Sequence, residues 1–219
     1  MFTLPLFPLY TVLFPGMPLH LHIFEQRYKQ MIQQCIEKNQ AFGIVLIRRG
    51  RDVGDKKVSY YSTGCSARIT AIEPLQDGHL NLTTRGEQRF RILKVSDSQP
   101  FLQGQVEAIP IENSPGLMNK YNTASFSQLI RKYLRVFSKI GTDKLDLGQL
   151  QLPDEPILLL YLAASIIQIP SYEKQLLLET KSLELFFDRI ERLYWREITI
   201  LQHLVPISNN NARRSAGDN

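Results

Sequence analysis

The sequence predicts an α+β fold: a small closed or partly closed β-barrel with one early helix, followed by a C-terminal helical bundle. Three observations carry that expectation. Up to about residue 112 the apolar residues fall in short, turn-bounded runs with the two-residue period of strands. Beyond it they recur at three and four residues, the period of helices. The change falls at Asn113-Ser114-Pro115-Gly116, a loop-forming cluster. With 219 residues, 43% of them hydrophobic, the chain can bury a sizeable core in one large or two small domains. The expected division is a barrel over 1–113, helices over 114–206 and a polar, disordered tail over 207–219.

The first segment, Leu4-Pro5-Leu6-Phe7-Pro8-Leu9, holds two residues without a backbone N–H, which suits an edge strand. Phe14-Pro15-Gly16 reads as a turn. Over 24–38, Tyr28, Met31, Ile32, Cys35 and Ile36 form one helical stripe, with Glu25 and Lys29 as a supporting pair. Arg27, in the first turn, is expected to anchor this helix rather than catalyse. Five strands follow, at Phe42–Ile47, Ser66–Ile72, His79–Thr84, Arg89–Val95 and Phe101–Ile111, with Asp77-Gly78 as a hairpin signal. Arg48 to Lys57 is a charged surface loop. In the second half, Leu129, Tyr133, Val136, Phe137 and Ile140 mark one helix. Asp154 is placed to cap a second with Pro156 in its first turn, Ser171 a short third, and Ser182 a last one reaching about Leu204.

The charge is +5 and evenly spread, so neither half is a strongly basic module. The longest apolar run, Pro156 to Ile167, is shorter than the roughly 18 residues of a membrane-spanning helix. The opening residues lack the basic region of a secretory signal, and two cysteines cannot build a disulfide framework, so a reducing, cytoplasmic setting is expected. No Gly-Lys dipeptide occurs, hence no P-loop, and GxGxxG, GxSxG and HExxH motifs are absent. His20-Leu21-His22 is the only close histidine pair. Cys35 as a third metal ligand is the remote alternative to two polar residues flanking a strand, and no metal or cofactor is expected.

Leu4-Pro5-Leu6-Phe7-Pro8-Leu9, Val12-Leu13-Phe14-Pro15-Gly16, and Leu19, Leu21 with Ile23-Phe24-Glu25-Gln26-Arg27-Tyr28 resemble the opening of the Lon protease N-terminal, substrate-binding domain. Phe42 to Leu46, Gly64 with Ala67 and Ile69, Asp77-Gly78, and Gly86 with Arg89-Phe90-Arg91-Ile92 fit the same domain. Leu159 to Ile169 and Lys174 to Glu179 resemble its helical part. The resemblance covers about residues 2–204. It implies a PUA-like barrel followed by a helical bundle, and a stand-alone module without the ATPase and peptidase parts of a full Lon protease.

The function expected from that resemblance is non-enzymatic binding of unfolded or extended polypeptide, as an adaptor or chaperone-like protein that could work with a separate protease or chaperone. Pro5, Phe7, Pro8, Leu13, Phe14, Pro15 and Met17 are the candidate contacts, with Pro8, Pro15 and Met17 expected at the surface beside turns. The alternative is RNA binding. Arg48, Arg49, Arg51, Lys56 and Lys57 would contact phosphate, and Tyr60 and Tyr61 would stack on bases. Asp52 and Asp55 interrupt that basic run, which makes nucleic acid the lesser reading.

Overall fold

The computed structural model of the chain describes residues 1–49, 58–112, 123–139 and 151–215, with side chains through Leu204. The strands are β1 (Phe2–Leu9), β2 (Pro18–Ile23), β3 (Phe42–Arg49), β4 (Ser59–Pro74), β5 (Leu80–Ser96) and β6 (Leu102–Ala108), with α1 (Gln26–Glu37) between β2 and β3. They form one mixed sheet in the order β2-β5-β4-β3-β1-β6, and β6 also pairs with β5. Pairing therefore runs from β5 through β4, β3, β1 and β6 and returns to β5. Only β1 and β3 run parallel. The helices α2 (Thr123–Phe137), α3 (Pro156–Ile166), α4 (Ser171–Leu178) and α5 (Leu183–Ser215) follow.

β1 is not an edge strand. It lies between β6, opposite Phe2–Leu6, and β3, opposite Leu6–Leu9. The two partners overlap only at Leu6, so each side of β1 needs hydrogen bonds over half its length. Pro5 and Pro8 are three residues apart and face their missing donors to opposite sides. An internal strand with two half-length partners can accommodate both. A second difference is β5, one continuous strand where two were expected. Gly86 sits at its middle, and a Cβ there would collide with the Phe14 carbonyl oxygen. Gly86 donates to Met17 O at 2.9 Å and accepts from Gly16 N at 2.8 Å. The glycine admits the 14–17 turn to the strand rather than ending it.

The chain forms two compact units: Met1–Glu112 with Ala164–Lys181, and Asn113–Ala163 with Ser182–Asn219. In the first, Leu4, Leu6, Ala41, Val45, Phe90 and Val106 make a buried cluster, with Phe2, Tyr60, Ile92, Val95 and Leu102 against it. α4 belongs to this unit, although its sequence reads as one more helix of the second half. Polar bonds tie it there. The buried Arg89 of β5 donates through Nη1 to Leu178 O at 2.8 Å and Thr180 O at 2.6 Å. Gln175 Nε2 donates to Thr63 O of β4 at 3.0 Å, and Ser171 Oγ to Tyr10 O at 2.8 Å. Ser171 is thus spent on the β1 end rather than on its own helix cap. In the second unit Tyr194 packs edge to face with Phe126 and Tyr133, Phe187 tilts against Phe126, and Tyr194 OH donates to Ala163 O at 3.0 Å.

Besides Ser171, one more expected cap differs. Glu155, not Asp154, accepts the Ile157 and Leu158 N–H groups of α3, at 3.3 and 2.8 Å. Ser182 does accept from Leu185 N, at 3.4 Å, beside the start of α5. α5 runs on to Ser215, through a stretch whose composition predicts disorder. The Asn113–Gly116 cluster and residues 216–219 lie outside the described residues.

Replacing Arg89 by Met strips a charged donor from two buried carbonyls. The expected loss is about 3 kcal/mol of unfolding free energy. Arg91→Met removes only the exposed 3.4 Å pair with Glu107 and is expected to cost less than about 1 kcal/mol. Denaturant melts of the two variants check the contrast.

Candidate functional site

The seven apolar residues singled out in the sequence are all buried: Pro5, Phe7 and Pro8 in β1, and Leu13, Phe14, Pro15 and Met17 after it. The Phe7 ring lies 4.0 Å from that of Tyr28 and 6.3 Å from that of Phe42, so it holds α1 to the sheet. Phe14 O accepts from Met17 N at 3.1 Å and abuts Gly86. Pro8, Pro15 and Met17 are therefore core residues, against the expectation of exposure. Turn-forming residues lie inside here because the 14–17 turn folds against β5 instead of projecting into water.

The basic-aromatic group divides. Arg51, Lys56 and Lys57 lie outside the described residues. Arg48 and Arg49 are exposed, and the Arg48 guanidinium stands 5.9 Å from the Tyr61 ring centre. Tyr60 packs half-buried on the sheet cluster, where burial pushes its hydroxyl pKa up.

Other chemistry narrows further. Burial pushes the Cys35 thiol up to about 11 and Cys65 higher still, so neither is poised as a nucleophile. His22 Nδ1 meets Asn81 Oδ1 at 3.0 Å, and its Nε2 meets His79 Nδ1 at 3.2 Å. His20 Nδ1 meets Thr83 Oγ1 at 3.3 Å. Asp77 accepts the His79 N–H at 2.9 Å, and this bond first, with the nearby imidazoles, holds its carboxyl below the usual range. Among the described residues no group of three His, Cys, Asp or Glu side chains is arranged to hold a metal ion. Arg27 Nε donates to Glu25 Oε2 at 2.9 Å and its guanidinium covers Tyr28 at 4.5 Å, a role in anchoring α1. No helix among the described residues is long and apolar enough to cross a membrane.

Two concave surfaces mark the sheet unit. A polar one of about 420 Å³ is lined by His20, His22, Glu73, Asn81 and Thr83 with Leu21 and Leu82 beneath. A second, of about 400 Å³, lies between the end of α1, Cys35–Gln40, and Arg68–Ile72 of β4. Ile36 and Ile72 stand exposed beside it, 45% and 39% accessible. Periodicity assigns Ile36 to the buried stripe of α1. The helix outruns its packing there, which periodicity does not register.

The fold places the chain among Lon N-terminal domains. A crystal structure of a Lon N-terminal domain protein from Xanthomonas campestris superposes with a TM-score of 0.61 at 24% identity, over 88% of this chain and 97% of that one. The N-terminal domain of the Mycobacterium avium complex Lon protease superposes with a TM-score of 0.61 at 19% identity, over 90% and 98%. Residues 3–194 match the family model of the ATP-dependent protease La (LON) substrate-binding domain, and the chain belongs to that family. Among full-length relatives, Lon protease 2 of Myxococcus xanthus and Lon protease of Anaeromyxobacter dehalogenans are each 25% identical over 201 residues. That stretch is 91% of this chain and 24% of each relative, so the chain spans about a quarter of their length.

Because both thiols are raised in the folded state, they favour folding below the pKa of an unfolded cysteine, about 8.5. That contribution is lost as pH rises toward the folded values. Stability is expected to fall on going from pH 8 to pH 10.5, and less so in a Cys35→Ala/Cys65→Ala variant compared with its own value at pH 8. Denaturant midpoints at the two pH values check the sign, and native thiols that react with a maleimide as fast as unfolded ones would contradict their burial.

Proposed function

We propose that the protein is a non-enzymatic module that binds extended, apolar segments of unfolded polypeptide, as an adaptor or chaperone-like partner of a separate protease. The observation that carries this reading is the match of residues 3–194 to a substrate-binding domain. In that reading the closed circuit of strands is a PUA-like barrel, and α2, the start of α3 and α5 are its helical bundle. In the same reading the barrel over 1–113 takes in residues 164–181, and the helices over 114–206 lose them. Activity of a whole Lon protease is not assigned to it. The sequence carries no P-loop, and the two buried thiols are unactivated.

Binding of this kind uses modest apolar burial against the cost of ordering the client, without ATP-driven trapping. Its strength is expected to be micromolar or weaker, roughly −8 kcal/mol at best. A reduced, carboxymethylated protein titrated beside its native form, at low and high salt, tests it. Preference for the unfolded form that survives high salt supports the reading. Binding that vanishes with salt, or that RNA displaces, overturns it. The purified chain is further expected to turn over neither ATP nor peptide, and activity that persists through repeated purification would refute the non-enzymatic assignment.

A further inference from the structure

β4 is longer than the strand that covers it. β3 pairs with β4 from Arg49 opposite Ser59 to Phe42 opposite Ala67 and goes no further, because the chain there turns back from α1 at Asn39, whose φ is +46°. Past Ala67, β4 continues to Pro74 with β5 on one side only, from Arg68 opposite Arg85 to Pro74 opposite Leu80. On the other side no strand among the described residues pairs with it. The 400 Å³ groove between α1 and Arg68–Ile72 opens along this stretch.

A bulge shapes the groove. Ile69 faces Thr84 and Ala71 faces Thr83, leaving Thr70 as the extra residue, its Oγ1 donating to Thr83 O at 3.0 Å. The extra residue resets the alternation, so Ile69 and Ile72 share one face of the strand, beside Ile36 of α1. Arg68 is the one charged residue of the groove lining. It is engaged by Glu87 through Nε and by Asn39 O at 3.4 Å through Nη1.

We propose that the outer edge of β4 from Arg68 to Pro74, with Ile36, Ile69 and Ile72, is a strand-addition site for an extended apolar polypeptide. The proposal rests on the polypeptide-binding reading and assigns its place. A row of peptide N–H and C=O groups without a strand partner is complemented by another extended backbone. Arg68 is paired with Glu87, and Glu73 lies on the face opposite Ile72, accepting from Asn81 Nδ2 at 3.3 Å, so the isoleucine face suits an uncharged segment and takes its alternate side chains. Among the described residues β2 also pairs on one side, with β5 alone, but it is shorter, starts at Pro18 and presents His20 and His22 already engaged with Thr83, Asn81 and His79.

Hydrogen exchange on the full chain, with and without reduced, carboxymethylated α-lactalbumin, tests the site. The expected result is slowed exchange in 68–74. Ile36→Glu and Ile72→Lys are each expected to weaken binding about tenfold, and Leu93→Lys, on an exposed part of β5, to leave it within twofold. The exchange measurement needs no variant and stands if a variant misfolds. Protection confined to another region such as Pro18–Ile23, or unchanged affinity in both isoleucine variants, overturns the β4 site while polypeptide binding itself stands. Absence of any binding of the probe overturns both.

Discussion

The sheet unit depends on a buried guanidinium. Arg89 cannot lose its charge inside a protein and must be surrounded by acceptors. Here those acceptors are main-chain carbonyls of Leu178 and Thr180, at the end of α4. The last four carbonyls of a helix lack partners within it, and at α4 each finds one. Gln175 O takes the Glu179 N–H, Leu176 O the Thr180 hydroxyl, Leu177 O the Thr180 N–H, and Leu178 O takes Arg89. The negative end of the helix dipole faces the cation. One side chain thus satisfies a helix end, gives its own buried charge two carbonyl acceptors and joins α4 to the strand that pairs with β2, β4 and β6.

Much of the fold was legible because its signals are local. The apolar stripe of α1, the Asp77-Gly78 turn with Gly78 at a φ of +74°, and the Ser182 cap each depend on neighbours within a few residues. What was not legible depends on distant partners. Pro5 and Pro8 speak for an edge, and only the half-length coverage of β1 by β6 and β3 makes an internal position acceptable. Gly86 reads as an interruption, and only the approach of the Phe14 carbonyl shows that it lets a strand continue. Arg89 alternates outward in its strand pattern and gives no sign of a helix 90 residues away.

The candidate site was less legible, for a related reason. Apolar residues beside prolines and turns are the ordinary choice for an exposed contact surface, yet Phe7, Phe14 and Met17 are held inside by Tyr28, Gly86 and the turn around Pro15. Exposure arises instead where one element outruns another: α1 past its packing at Ile36, and β4 past the start of β3. Such overhangs are set by relative lengths in space. In the sequence, Ile36 looks like any stripe residue, and Ile72 falls out of phase with Ile69 until the bulge at Thr70 is known.

The grouping of residues 1–112 with 164–181 has a bearing on how the protein is made. A chain emerging from the ribosome completes all six strands of the sheet long before Leu178 and Thr180 are synthesised. During that interval Arg89 has neither of those carbonyls, and Thr63 O lacks Gln175. The nascent sheet is therefore a provisional structure in which the positive charge of Arg89 stays hydrated until some 70 more residues, from the end of β6 at Ala108 to Thr180, have been added. Its final closure is coupled to synthesis of the segment that leads into α5, so the module matures late and as a whole rather than strand by strand.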